Sequence, residues 1–244
     1  MRLITNLLLT AALLVPVPAA YADDPVAAKL AARLRLPVEN VTPSPIPGIY
    51  QIKSGPEVAY VSADGKYVLR GDLISVDTGV NLSAEERAKA RLAYINQIGE
   101  QNMVVFGLPQ PRHTLTVLTD IDCQYCRALN EDTPALNAAG VAVRYLPFPR
   151  AGVDSSSWEK AVAVWCAKDR KTAYQEAMHG AAMKPDPNCD QAPVATGYHL
   201  ARLLGLDGTP IIITERGQII NGYIPAPELI KLLDNPALQT QQGS

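Results

Sequence analysis

The chain has 244 residues, 48% hydrophobic and 19% charged, with 20 Pro, 16 Gly and four Cys, the balance of a folded globular protein rather than a disordered or collagen-like one. At roughly 150 residues per domain this is enough for one or two self-supporting cores, so disulfide density is not what folds it. The 22 Lys+Arg against 24 Asp+Glu leave a net charge of -2, with no positive excess to neutralise a phosphate backbone, and nucleic acid is excluded as an expected partner.

Residues 1–22 carry one positive side chain, Arg2, then an apolar run from Leu7 to Val15, then Pro16 and Pro18 ahead of Ala20-Tyr21-Ala22. A charged start, a short apolar stretch and an A-x-A site make a cleaved secretory signal peptide. The other reading is a transmembrane anchor, but the run is too short for a roughly 30 Å hydrocarbon core at about 1.5 Å per residue. Cleavage before Asp23 places the four cysteines in an oxidising compartment, where disulfides persist.

Asp24-Pro25 opens a short helix, with an N-cap, Pro at the first position and Val26, Leu30 and Leu34 at helical spacing. Prolines 37, 43, 45 and 47 break the chain, and short strands are expected over 49–53, 58–62, 67–70 and 73–76, with Asp64-Gly65 as a hairpin turn. A unit this small leans on a partner, and edge-strand pairing between two chains is the simplest way. Ser83 to Glu86 forms a capping box for a helix through Ile98. It is expected to be a connector between two domains, the other reading being a core helix of the second.

Thr114–Thr119 alternates as a strand, Asp120–Asp122 turns, a helix begins at Cys123 and ends near Gly140, and 141–146 is the next strand, giving β-α-β. A helical stretch over 158–182, opened by a capping box at Ser156, and a helix over 191–204 follow. A hairpin over 210–221 and a helix over 227–233 close the fold.

Cys123-Gln124-Tyr125-Cys126 stands at the strand-to-helix junction of that β-α-β unit, a context that points to redox chemistry. Three residues apart on a first helical turn, the sulfurs can bridge, and Cys123 faces the unpaired N–H groups and positive dipole end of the helix. A thiolate is stabilised there and can attack a substrate disulfide, with Cys126 resolving the mixed disulfide. A zinc site would need a second Cys/His pair at short spacing, which the sequence lacks, so no metal and no cofactor is expected. Cys166 and Cys189 read as a structural disulfide or, alternatively, a second redox couple. Gly208-Thr209-Pro210 opens a strand with an X-Pro bond, the one kind of peptide bond with appreciable cis content, and leaves backbone free to pair with an extended substrate.

With these features assembled, the chain resembles the bacterial periplasmic disulfide isomerases of the DsbC/DsbG family. The most specific stretches are Thr119 to Cys126, Val143 to Arg150, Trp165 to Asp169 and Gly208 to Pro210, and Tyr125 with the near-neutral charge balance favours the DsbC branch. The resemblance implies an α/β fold: a thioredoxin-like catalytic domain with a helical insertion (104–244), preceded by a linker helix (83–103) and a small α+β dimerisation domain (23–82), after the signal peptide (1–22). It implies a V-shaped homodimer in the periplasm, catalysis by Cys123 and Cys126, and substrate contact at Thr209, Pro210 and Tyr125. It further implies a cis bond before Pro210, a structural Cys166–Cys189 disulfide and a membrane thiol reductase of the DsbD type as electron donor. The expected activity is rearrangement of non-native disulfides in misfolded secreted proteins, with a chaperone role. An oxidase or reductase of the same fold, a non-catalytic holdase and a copper-handling protein are the alternatives. The family usually carries Gly where Gln124 stands. Asp122 before Cys123 is expected to disfavour the thiolate and Arg127 to favour it. His113, His179, His199, Trp158 and Trp165 read as ordinary surface or core groups.

Overall fold

The structure is a computed structural model that describes residues 24–186 and 188–235; the expected signal peptide and the end of the C-terminus lie outside the described residues. Contacts divide the chain into two compact units, one running through Ile52 and resuming over Ala59–Leu69, the other comprising Lys53–Val58 and everything from Arg70 on.

The first unit begins with helix α1 (Pro25–Leu34), N-capped by Asp24, whose carboxylate accepts the Val26 and Ala27 N–H groups and the Tyr50 hydroxyl. Strands β1 (Val41–Pro43), β2 (Ile49–Ser54), β3 (Glu57–Ser62) and β4 (Val68–Leu69) form a sheet in sequential order. Ala27, Leu30 and Ala31 of α1 bury against Val41 and Val61. Strand β1 was not expected, because only three residues between prolines show no alternation. The expected strand over 73–76 is instead a loop that closes on itself: Ile74 makes one bridge to Asn81, and Ser75 N–H donates to the Val80 carbonyl.

In the second unit, helix α2 (Leu82–Ile98) is capped by Asn81 rather than Ser83, whose hydroxyl accepts the Leu73 N–H instead. Strands β5 (Val104–Phe106), β6 (His113–Thr119), β7 (Val141–Pro147), β8 (Ile211–Ile213) and β9 (Ile219–Asn221) form a mixed sheet in the order β5-β7-β6-β8-β9. Strands β6 and β7 run parallel, joined by helix α3 (Gln124–Ala138), while β5, β8 and β9 pair antiparallel. Between β7 and β8 stand helices α4 (Ser156–Cys166), α5 (Arg170–Met178) and α6 (Ala192–Leu203), and α7 (Ala226–Asp234) follows β9.

Alternation along β6 fills both faces of this sheet. Leu115 and Val117 join Leu129 of α3, Trp165 of α4, Tyr174 of α5 and Leu229 of α7 in one core. Leu118, with Leu146, Ile211 and Ile213, meets Leu200 of α6 and Ile95 and Ile98 of α2 in a second. The helix expected as a connector therefore contributes directly to the packed core of this unit. Its approach to the β8–β9 turn is close: a Cβ at Gly217, where φ is +78°, would sit 2.3 Å from the Ala88 carbonyl oxygen. Arg91, 9% exposed, donates to the Gly217 carbonyl.

The single helix expected over 158–182 is two. Ala167 is extended at ψ 144°, and Asp169 starts α5 by accepting the Thr172 N–H. Helix α4 is capped by Ser155, one residue before the serine expected. Cys166 and Cys189 form a disulfide with Cα atoms 6.0 Å apart, tying the end of α4 to the loop before α6. His113 bonds Glu215 and Asp234, a local tie at the start of β6. Among the described residues no helix is long and apolar enough to cross a membrane.

Candidate active site

The end of β6 delivers the chain into a tight turn built on Asp120. Its Oδ1 accepts the Asp122 N–H at 2.9 Å, and its carbonyl accepts the Cys123 N–H at 3.1 Å, so the turn closes within one residue type's reach. Arg127, one turn into α3, donates through Nε and its second terminal nitrogen to the Ile121 carbonyl at 3.2 and 3.1 Å. This fastens the turn to the helix it precedes. Cys123 is the N-cap of α3, in extended backbone geometry, and its side chain sits where the first N–H groups of the helix point outward.

Cys123 and Cys126 are both free thiols in this structure. Cys123 is 4% exposed and Cys126 fully buried. The Cys123 thiol donates to the Thr209 carbonyl at 3.3 Å, and the Asp120 N–H donates to Cys126 Sγ at 3.5 Å. The Thr209–Pro210 peptide bond is cis. The sequence motifs at 123–126 and 208–210, more than eighty residues apart, therefore meet. Tyr125 is 55% exposed beside them.

The environments push the two thiols in opposite directions. For Cys123 the largest effect is the hydrogen bond from the Cys126 thiol. Burial opposes it, but the Thr209 hydroxyl and the backbone N–H groups of Cys126 and Tyr125 add to it, and the pKa falls to about 5. Burial drives Cys126 far upward, and its bond to the Cys123 thiolate holds the proton in place. The buried Thr209 hydroxyl makes no hydrogen bond in this structure, yet it lies near enough to both sulfurs to favour their thiolates. At neutral pH the arrangement is one thiolate over one thiol, the pair needed for attack on a disulfide followed by ring closure.

The charges flanking the motif are differently employed from what the sequence suggests. Asp122 pairs with Lys160 of α4 at 2.7 Å and with Arg127 at 3.8 Å, so its field is offset before it reaches the sulfur. Arg127 serves the Ile121 carbonyl. Asp120, read from sequence as a turn residue, is a buried anion: Oδ1 also accepts the Ser157 hydroxyl, and Oδ2 accepts Arg150 N–H and Nε–H at 3.0 and 3.1 Å. Asx-turn spacing hints at the Asp122 contact; nothing local announces Arg150 or Ser157. Beside Thr209 an open pocket of about 300 Å³ is lined by Leu206, Asp207, Ile211 and Asn221. Among the described residues no cluster of three or more His, Cys, Asp or Glu could hold a metal ion.

Comparison with known proteins decides the family. Residues 17–84 match the disulfide bond isomerase protein N-terminal domain and residues 99–237 match a thioredoxin-like domain. The thiol:disulfide interchange protein DsbC of Escherichia coli is 34% identical over 215 residues, 88% of this chain and 89% of that protein.

The chain belongs to the DsbC family.

The DsbC proteins of Salmonella typhimurium (34% over 221 residues, 91% of each chain) and Dickeya dadantii (35% over 229 residues, 92% of each) match over the same extent. Solved structures agree on the fold alone. A linker-deletion variant of ScsC from Proteus mirabilis superposes at TM-score 0.50 with 20% identity, covering 60% of this chain and 81% of that one. The thiol-disulfide exchange protein alpha-DsbA2 of Wolbachia pipientis gives 0.50 with 17% identity, covering 64% and 98%. As a DsbC family member the chain is a thiol-disulfide oxidoreductase that rearranges disulfides, and its match to the isomerase N-terminal domain supports a homodimer.

Proposed function

We propose that Cys123 is the nucleophile that opens non-native disulfides in secreted proteins, and that Cys126 resolves the mixed disulfide when no substrate thiol does so first. The observation that carries this is the placing of the two thiols at the start of α3: Cys123 at the N-cap against the carbonyl of the cis Thr209–Pro210 bond, Cys126 fully buried one turn in, with burial raising Cys126 and its thiol lowering Cys123. Thr209 and Pro210 offer backbone to an extended substrate next to Cys123, Tyr125 offers an exposed aromatic face, and the pocket beside Thr209 has room for one substrate side chain. Cys166–Cys189 serves as the structural disulfide.

Dimerisation through the N-terminal sheet fits the exposed edge at β4, where Tyr67, Val68 and Leu69 are 69%, 53% and 56% exposed. Two such chains would present apolar surface to misfolded substrate, which is the basis of a chaperone role. The expected signal peptide supports a periplasmic location, and an isomerase there needs its pair kept reduced, for which a membrane thiol reductase of the DsbD type is the proposed donor.

Refolding of a scrambled multi-disulfide substrate by wild type, Cys123→Ser and Cys126→Ser tests this reading. Loss of activity in Cys123→Ser with partial activity in Cys126→Ser supports it; equal activity of all three overturns it.

A further inference from the structure

The chain ahead of the cis bond leaves backbone unclaimed. Among the described residues the N–H groups of Gly208 and Thr209 donate to nothing, and the Thr209 carbonyl accepts only the Cys123 thiol, at 3.3 Å. The cavity of about 300 Å³ that adjoins this stretch is kept open by glycines. A Cβ at Gly205, Gly208 or Gly222 of its lining would meet nothing within 4 Å. Gly205 and Gly222 have positive φ, but Gly208 does not, so at 208 the backbone leaves room for a side chain that the sequence omits.

The walls of this cavity are of two kinds. Half-buried Leu206 and buried Ile211 give apolar surface, while Asp207 and Asn221 are exposed. Among the described residues no lysine or arginine pairs with Asp207, Arg202 in the last turn of α6 included. Helix α6 ends at Leu203, two residues before the first residue of the lining, and its terminal carbonyls add partial negative charge. An apolar wall beside an uncompensated carboxylate suits the long stem and charged head of lysine or arginine. At the low end of ligand-cavity sizes, the volume holds one side chain rather than a folded surface.

We propose that this cavity binds a lysine or arginine side chain close to the reacting cysteine of the substrate, and that Asp207 is the specificity-determining residue that selects it. The inference rests on the reading of Cys123 as nucleophile and names the substrate segments that the same site takes. Chain geometry supplies the reach. Bridged cysteines hold their Cα atoms about 4.4–6.8 Å apart and an extended chain advances about 3.3 Å per residue, so a substrate strand bonded to Cys123 and paired with Thr209 brings residues one or two positions from its cysteine to the cavity. A basic residue there speeds formation of the mixed disulfide, and a glutamate at the same position slows it by repulsion.

The test uses the reduced protein and disulfide-linked dimers of a short peptide that carries one cysteine and, one or two positions to either side of it, Lys, Ala or Glu. Attack by Cys123 breaks the peptide disulfide and releases one peptide thiol; closure by Cys126 releases the other and leaves the cysteine pair oxidised. Acid quenching and mass spectrometry give the rate. Each rate is divided by that of dithiothreitol with the same peptide, which removes the effect of the added charge on the disulfide itself. For at least one position Lys is expected to exceed Glu by about threefold to fivefold, the scale of an exposed ion pair. Asp207→Lys is expected to invert that ratio, and Gly208→Val, which fills the cavity, to bring it near one. Because the readout is a ratio within each variant, a general loss of activity does not mimic it. A wild-type ratio of one at every position overturns the proposal, as does a ratio that survives in Asp207→Lys or in Gly208→Val. Failure of the underlying reading looks different: Cys123→Ser then consumes every peptide as fast as wild type.

Discussion

Lys160 Nζ lies 2.7 Å from Asp122 Oδ1, so the carboxylate that precedes the N-terminal cysteine meets its counter-charge from α4, a helix of the insertion. Sequence alone puts a bare negative charge next to the thiolate; the folded chain puts an ion pair there. The expected consequence is an asymmetry between two variants. Lys160→Ala exposes the thiolate to Asp122 and raises the Cys123 midpoint by about half a pH unit, the scale of a partly exposed pair. Asp122→Asn alone moves it less. Thiolate absorbance titrations of the two variants check this, and a larger shift for Asp122→Asn would show that the pair does not offset the charge.

Thr209 contributes a hydroxyl as well as a carbonyl. Thr209→Val keeps the shape and removes a hydroxyl that favours the thiolate, and the Cys123 midpoint is expected to rise. Alkylation rates at fixed pH, compared with wild type, report the loss of thiolate directly.

The pH dependence has a definite sign. Cys123 titrates near 5 in the folded reduced protein against 9.0 for an ordinary thiol. Its folded pKa is depressed, so the stability that its thiolate adds to the reduced form is complete above the unfolded value and is lost as pH falls through about 5. The reduced form is therefore expected to gain stability relative to the oxidised form between about pH 5 and about pH 9. Paired urea denaturations of the two redox forms at several pH values measure that difference, and a flat difference would contradict the lowered pKa.

Cys166 and Cys189 close a loop across a sequence separation of 23. In the loop-entropy model the Cys166→Ala/Cys189→Ala variant loses about 3 kcal/mol, read as a lower urea midpoint, while alkylation of Cys123 proceeds at the wild-type rate. Slowed Cys123 chemistry would instead point to a second redox couple.

Gly217 is the site at which α2 is held against the β8–β9 turn. Gly217→Ala places a Cβ against the Ala88 carbonyl at a residue whose φ is +78°, and the combined clash and strain are expected to cost about 2–4 kcal/mol. Thermal unfolding checks the magnitude.

Much of the site was legible because its first part is local. A strand, an Asx-type turn and a helix beginning at a cysteine are written within 113–138, and the spacing of the two thiols follows. What escaped depends on residues brought together from a distance: Asp120 meets Arg150 and Ser157 at separations of 30 and 37 residues, and its role cannot be read from its neighbours. Strand β5 is three residues at an edge of the sheet, too short to alternate. The break at Ala167 follows a run with good helical spacing, although Asp169 three residues before Thr172 is a capping signal in plain view. The role of α2 was left between two readings because helical spacing shows that a face is apolar, not what covers it.

The 4% exposure of Cys123 has a consequence for what the enzyme can discriminate. A sulfur so nearly enclosed is reached end-on, by a disulfide that a chain can push forward on a loose segment, and hardly at all by one lying flat on a well-packed surface. With Cys123 as the proposed nucleophile, finished proteins would be screened out by shape, and the bonds opened would be those of chains still searching for their fold. Proofreading, on this view, is a matter of steric access before it is a matter of potential.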